Sequence, residues 1–311
     1  MCALLVVNTF ATTTSPETKA VISSALENKL DLTVVSTEQK SHAVEIAKSA
    51  KSDGYELVIG FGGDGTLNEL ANGLLSNGLD PAGPKLAGIP GGNANVFLRN
   101  LGYANDPIVA TAQLLEHLKN NSTRKIGLGR LTSNDISRWF LCNAGFGIDA
   151  QVLAKMDSRR NKGKFVSDSA YAMLAIRELF NEIRKSKSPI LVTDQSNVTA
   201  KPLQFALIVN FAPWTYVGKY AVSPLVRLAD TSALDIFGSH KLSLSNTVRL
   251  IASFLTPDKI KSEPQVLVLE QQQSIDIKTV TPTWAQVDGE PLMQIKLAKV
   301  EHFSNCLTVI A

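Results

Sequence analysis

Residues 60–69 read Gly60-Phe61-Gly62-Gly63-Asp64-Gly65-Thr66-Leu67-Asn68-Glu69. The stretch follows an apolar run, Glu56–Ile59, with the composition of a buried strand, and it opens a helical pattern over Asn68–Leu75. Glycines at such a turn let the backbone approach a ligand closely, and the start of the helix offers unpaired N–H groups and the positive end of a dipole. The spelling G-x-G-x-x-G occurs here, yet a dinucleotide fingerprint follows the first strand of its unit and needs an acid at the end of the next strand. This turn follows the third strand, and the next one, Lys85-Leu86-Ala87-Gly88-Ile89, ends without an acid. A Walker loop is absent too, because no Gly-Lys-Ser/Thr occurs. One such loop on its own is equally a glycine-rich turn without a ligand.

A second loop, Pro90-Gly91-Gly92-Asn93-Ala94-Asn95, also follows a strand, Leu86–Ile89, and opens a short helix, Asn95–Asn100. Open α/β sheets bind ligands at the carboxyl ends of their strands. Two phosphate-compatible loops at successive strand ends therefore argue for a nucleotide site.

Outward from these loops, strands at Ala3–Val7 and Leu32–Ser36 alternate with helices at Pro16–Lys29, Ser41–Ser52 and Pro107–Lys119. Ser15 reads as the N-cap of the first helix, with Pro16 at its first position. Strict alternation predicts a parallel sheet with helices on both faces. The pattern changes after Asn120-Asn121-Ser122. Strands are then expected at Ile126–Leu131, Trp139–Asn143, Ile190–Thr193, Phe205–Asn210, Ala233–Phe237, Gln265–Leu269, Ser274–Lys278 and Thr283–Val287, with helices at Ser169–Lys185 and Ser245–Leu255. Short strands with turn signals between them read as a sandwich or open barrel. The expected fold class is α/β: a three-layer α/β domain over residues 1–124 and a β-sandwich-like domain over 125–301.

Composition narrows the function classes. A chain of 311 residues is long enough for two domains. Its net charge of +3 is small and dispersed, which argues against a nucleic-acid partner. Three cysteines, Cys2, Cys142 and Cys306, lie far apart, so neither a disulfide framework nor a zinc spacing exists and a reducing compartment is expected. The run Ala3–Val7 is too short for a signal-peptide core, and no apolar stretch approaches the roughly 20 residues that span a bilayer. A soluble or peripheral protein is expected. The densest basic cluster, Arg159, Arg160, Lys162 and Lys164, reads as a loop of the second domain that could meet an anionic membrane surface.

Gly62–Glu69 resembles the signature loop of the diacylglycerol kinase and sphingosine kinase superfamily, and the likeness runs along nearly the whole chain. Val7-Asn8 stands where that family has a first strand ending in Asn-Pro. Thr37 followed by His42-Ala43 resembles its Thr…Gly-His-Ala segment. Phe140–Ala150 (FLCNAGFGIDA) resembles its Asn-x-Gly-x-Gly-x-Asp-Ala stretch, and Asp288-Gly289-Glu290 its late Asp-Gly-Glu. Pro90–Gly102 looks most like the actinobacterial branch.

The resemblance implies roles. ATP would lie along Asn8, Thr37, the loop Gly62, Gly63, Asp64, Gly65, Thr66, Leu67, Asn68 and Glu69, and Asn93, with Asp64 acting beside the phosphates. Glu290 would be the general base that takes the proton of the lipid hydroxyl. Asp230, with carbonyls near Arg227 and Ser232, would hold Mg2+. Phosphoryl transfer needs positioning, charge neutralisation and a proton acceptor, which such a set supplies. The last strand, Cys306–Ile310, would return to the first domain, so that residues 302–311 complete it. The lipid head group would enter between the domains, with acyl chains in an apolar pocket of the second. A diacylglycerol-like substrate implies peripheral contact with the inner face of the membrane from the cytoplasm, and a homodimer is open.

The chain also departs from the family. Asn8-Thr9-Phe10-Ala11-Thr12 replaces Asn-Pro-x-Ser-Gly, Val96 and Gly127 stand where members carry acids, and Asp230-Thr231 replaces Asp-Gly. Alternatives therefore stay open. Asp288-Gly289 is also a common hairpin turn, Asp64 a cap for the helix it precedes, Asp230 a solvated loop acid, and Asn8 an ordinary strand end. A soluble-metabolite kinase of the NAD kinase kind shares the Gly-Gly-Asp-Gly loop, and a non-catalytic lipid- or nucleotide-binding homologue fits the missing acids. Asn68-Glu69…Asn72-Gly73 and the late Asp-Gly-Glu favour the lipid branch.

Overall fold

A computed structural model describes residues 1–134, 136–160, 177, 181, 189–223, 232–241, 243 and 265–311. The chain divides into two compact units. The first comprises Met1–Leu128, Thr215–Tyr220 and Ser304–Ala311; the second comprises Gly129–Trp214 and Ala221–Phe303.

The first unit alternates β1 (Cys2–Val7), α1 (Pro16–Glu27), β2 (Asp31–Ser36), α2 (His42–Ser49), β3 (Leu57–Gly62), α3 (Asp64–Leu74), β4 (Lys85–Pro90), α4 (Val96–Asn100) and α5 (Pro107–Lys119). The strands pair in parallel in the order β4-β3-β1-β2, as the alternation predicts. Every residue of β3 is buried, in keeping with a strand covered on both faces. Ser15 caps α1 through a 3.1 Å bond from the Thr18 amide, with Pro16 in the first turn. Helix α1 packs on α5, and α2 on α3. Right-handed crossovers explain the grouping, because the chain leaves β1 in one direction to reach β2 and then crosses back to β3 in the other. That reversal is a topological switch point, with a crevice outside the carboxyl ends of β1 and β3.

The second unit is mostly strand. It holds the latter parts of β5 (Thr123–Thr132), then β6 (Ser137–Phe140), β7 (Asn143–Gly147), α6 (Ile148–Arg160), β8 (Ile190–Thr193) and β9 (Phe205–Val209). After the short hairpin β10 (Thr215–Val217) and β11 (Tyr220–Val222) come β12 (Leu234–Ser239), β13 (Val266–Gln272), β14 (Ser274–Val287) and β15 (Glu290–Ile310). The main sheet of this unit runs β13-β12-β9-β7-β14-β15, with antiparallel pairing. Phe140, Phe146, Ile208, Ile236, Val287 and Val300 sit in its core. The end of β15 belongs to the first unit, where Val309 pairs in parallel with Leu86.

Three expectations change. Ser274–Lys278 and Thr283–Val287 are one strand, β14, whose register shifts between Lys278 and Thr283. Trp139–Asn143 is split, because β6 ends at Phe140 and β7 starts at Asn143. Arg159 and Arg160, expected in a loop, end the helix α6, Ile148–Arg160. The missed signal is Ile148, Val152 and Met156, an i, i+4, i+8 stripe that packs on Leu207, Val209 and Phe237. Lys162, Lys164, the helix at Ser245–Leu255 and most of that at Ser169–Lys185 lie outside the described residues.

Candidate active site

The loops at the switch point are stitched together through their backbones. The Asn8 amide donates to Phe61 O at 2.9 Å, and the Thr37 amide to Val7 O at 2.9 Å. Asn8 Nδ2 donates to Thr66 Oγ1 at 2.9 Å, while Asn8 Oδ1 accepts from the Phe10 amide at 3.0 Å. Asn8 thereby ties the end of β1 to the first turn of α3. The Gly91 amide donates to Gly62 O at 2.8 Å, which joins the second loop to the first. A Cβ on Gly91 would lie 2.8 Å from Gly62 Cα, and one on Gly92 would lie 2.8 Å from Gly63 Cα. Two backbones can touch in this way only where side chains are missing. Gly63 begins α3 with no side-chain cap, so the helix N-terminus keeps its affinity for an anion.

Asp64 spans the same contact. Its Oδ2 accepts from the Val96 amide and its Oδ1 from the Phe97 amide, both at 2.9 Å. The acid therefore caps α4, reached across the fold, and not α3, of which it is the first residue. Burial pushes its pKa above the ordinary carboxylate value, while the amides of Phe97 and Val96 and the charge of Arg99 pull it back. Asn95, absent from the expected site, closes the second loop from inside. It is buried at φ 45°, accepts from the Gly92 amide at 3.0 Å, and donates to Gly92 O and to Asn105 Oδ1, each at 2.6 Å. Its signal was a lone Asn just ahead of a short apolar helix, a residue type that tolerates the left-handed region.

The expected nucleotide residues divide into two groups. Asn93 is exposed, while Asn8, Gly63, Asp64 and Gly65 are half-exposed around the turn. Gly62, Thr37, Thr66, Leu67, Asn68 and Glu69 are buried. Asn68 accepts from Asn72 Nδ2 through its carbonyl at 2.8 Å and its side chain at 3.0 Å. Glu69 Oε1 accepts from the Ser41 amide at 2.9 Å, just ahead of α2. These side chains hold the loop's supports.

In the second unit, Asp288 (φ 47°) and Gly289 (φ 82°) join β14 to β15 where Val287 pairs with Glu290. Two positive φ values make this a two-residue turn of the I′ kind. The turn is also clamped, because the Asp288 carboxylate accepts from the amides of Leu141, Cys142 and Asn143 at 2.7, 2.7 and 2.9 Å. Glu290 is half-exposed, and its carboxylate takes no hydrogen bond or ion pair among the described residues. Asp149, in the first turn of α6, has its pKa pushed up to about 6 by burial, against a lowering bond from Gln286. Of the expected magnesium set, Arg227 and Asp230 lie outside the described residues. Ser232 is exposed, and its carbonyl accepts from Gln273 Nε2 at 3.1 Å. Among the described residues no group of three or more His, Cys, Asp or Glu is placed to hold a metal.

The sequence profile of the diacylglycerol kinase catalytic domain matches residues 2–131, the stretch that holds both glycine loops. A diacylglycerol kinase of Staphylococcus haemolyticus (strain JCSC1435) is 26% identical over 254 residues, 82% of this chain and 71% of the relative. These matches support a likeness to the diacylglycerol kinase-like lipid kinases, carried by the catalytic-domain match over residues 2–131. Identity rises to 35% with a diacylglycerol kinase of Staphylococcus aureus (strain JH9), over 123 residues that span 40% of this chain and 36% of the relative. A solved diacylglycerol kinase from Bacillus anthracis str. Sterne superposes with a TM-score of 0.73 at 23% identity, covering 99% of this chain and 96% of that one. An NAD kinase from Archaeoglobus fulgidus in complex with ATP superposes with a TM-score of 0.54 at 10% identity, covering 99% and 93%. At such identities the structural likeness speaks for the fold, an α/β domain followed by a mostly strand domain.

Proposed function

We propose that this lipid kinase transfers the γ-phosphate of ATP to the hydroxyl of diacylglycerol or a related lipid. The observation that carries the reading is the backbone contact between Gly62-Gly63 and Gly91-Gly92, which sets the uncapped start of α3 beside Asn8 at the switch point. Amides at that helix start and the Asn8 side chain would bind the phosphates, with Asn93 at the rim. Asp64 supports this surface by holding the second loop to the first, and Thr37, Leu67, Asn68 and Glu69 support it from beneath.

In the reaction the lipid oxygen attacks the γ-phosphorus, the bond to the ADP oxygen breaks, and the hydroxyl proton passes to Glu290. A carboxylate that takes no bond among the described residues can accept that proton. Mg2+, held by Asp230 and carbonyls near Arg227 and Ser232, would supply positive charge to the site. The lipid character of the acceptor is supported by the names of the relatives in the family. No helix among the described residues is long and apolar enough to cross a membrane. A diacylglycerol-like acceptor resides in a bilayer, so the protein would meet it at the inner face of the membrane. The test offers radiolabelled ATP with diacylglycerol, sphingosine, ceramide or NAD in detergent micelles. Label is expected in diacylglycerol; label in NAD alone, or in none of the four, overturns the proposal.

A further inference from the structure

Gln286 lies in β14, four positions before Glu290, and is only 1% exposed. Its side-chain amide meets three groups. Nε2 donates to Asn143 Oδ1 at 3.0 Å and to Asp149 Oδ2 at 3.1 Å, and Oε1 accepts from the Gly289 amide at 2.9 Å. Two acceptors face the nitrogen and one donor faces the oxygen. A flipped amide would set like against like at all three, so the partners fix its orientation. Space for the arrangement comes from Gly145, where a Cβ would lie 2.6 Å from Gln286 Nε2 and 2.8 Å from Asp149 Oδ2. Asp149 itself stands in the first turn of α6, where the helix dipole favours an acid.

An Asp-Gly turn forms without side-chain support. This one is held on two sides: Asp288 is fixed by three backbone amides, and Gly289 by Gln286. The peptide so fixed is the one that leads directly into Glu290. We infer that Gln286 is a positioning residue which, anchored by Asn143 and Asp149, locks the Gly289–Glu290 peptide and so aims the Glu290 carboxylate at the acceptor hydroxyl. The inference rests on the reading of Glu290 as the proton acceptor. A misplacement of about 1 Å at a reacting group can cost on the order of 100-fold in rate. The relay therefore acts on kcat and leaves ATP binding alone.

Gln286→Met keeps the length of the side chain and removes all three bonds. Amide hydrogen exchange at Gly289 should accelerate, and kcat on diacylglycerol micelles should fall roughly 10- to 100-fold with KM for ATP unchanged. Asp149→Ala should lower kcat in the same sense, and Asp149→Asn, which restores an acceptor for Nε2, should rescue it; this pair carries the test if Gln286→Met does not fold. In a Glu290→Gln background, Gln286→Met should cost nothing further, because both changes remove the same function. An equal loss in both backgrounds overturns the positioning role, as does faster Gly289 exchange with kcat unchanged. Wild-type turnover in Glu290→Gln alone overturns instead the reading on which the relay rests.

Discussion

Asp64→Asn tests the joint between the two glycine loops. In the wild type each carboxylate oxygen accepts one amide of α4, from Val96 and from Phe97 at 2.9 Å. Asparagine keeps the shape but turns one acceptor into a donor, so a side-chain N–H then faces a backbone N–H. A lost helix cap costs about 0.5–2 kcal/mol. A buried donor left without a partner adds about 1–3 kcal/mol. Relief from burying a charge offsets part of this, because burial already pushes the Asp64 pKa up. A net loss of about 2–3 kcal/mol is expected, which for a domain of this size lowers Tm by roughly 5–12 °C. Activity should also be lost at temperatures where the variant is still folded, because the second loop is no longer held against the first. Thermal melting and phosphoryl transfer, measured on the same preparation at 15 °C below its Tm, separate the two effects. An unchanged Tm with lost activity would refute the clasp and place Asp64 directly on the phosphates. A lowered Tm with wild-type turnover would refute the placing of the nucleotide at these loops.

Glu290→Gln should keep ATP affinity, read by calorimetry, and lose about 10²–10⁴-fold in turnover; parallel loss of both would make Glu290 structural. Asp149 gives a pH dependence whose sign follows from its pKa, raised by burial to about 6 from the ordinary aspartate value of 3.8. An acid shifted upward binds its proton more readily when folded, so its stabilising contribution is full below pH 3.8 and is lost as pH rises through about 6. Relative to wild type, Asp149→Asn should therefore gain stability between pH 4 and pH 7, by about 1–3 kcal/mol in chemical denaturation, and a pH-independent difference would contradict the buried carboxylate. In vesicle co-sedimentation, binding should rise with anionic lipid, fall with salt, and drop when Arg159, Arg160, Lys162 and Lys164 become Gln. Salt-insensitive binding would move the docking surface to apolar side chains.

Local signals determined much of this protein before any contact was known. The 2.0 and 3.6 periods are written within a dozen residues, so the alternation of the first unit and strands such as Ile190–Thr193 followed from sequence. Caps are local as well, and Ser15 with Pro16 marked the start of α1 to the residue. The order of short motifs, from Gly62-Gly63-Asp64-Gly65 to Asp288-Gly289-Glu290, pointed to the family. What those motifs touch was another matter. A carboxylate carries no record in its neighbours of which amides it will meet, and Asp64 and Asp288 find theirs 32 and about 146 residues away. Gly91 and Gly92 look like punctuation in sequence, and only the approach of Gly62 and Gly63 shows why a side chain is barred there. Gln286 reads as one more polar residue in an alternating strand, yet tertiary pairing buries it between Asn143, Asp149 and the turn that presents Glu290. The sequence decided the elements and their chemistry because short-range periodicity and capping are encoded where they act; the structure decided the partners because hydrogen bonds close across whatever the topology brings together.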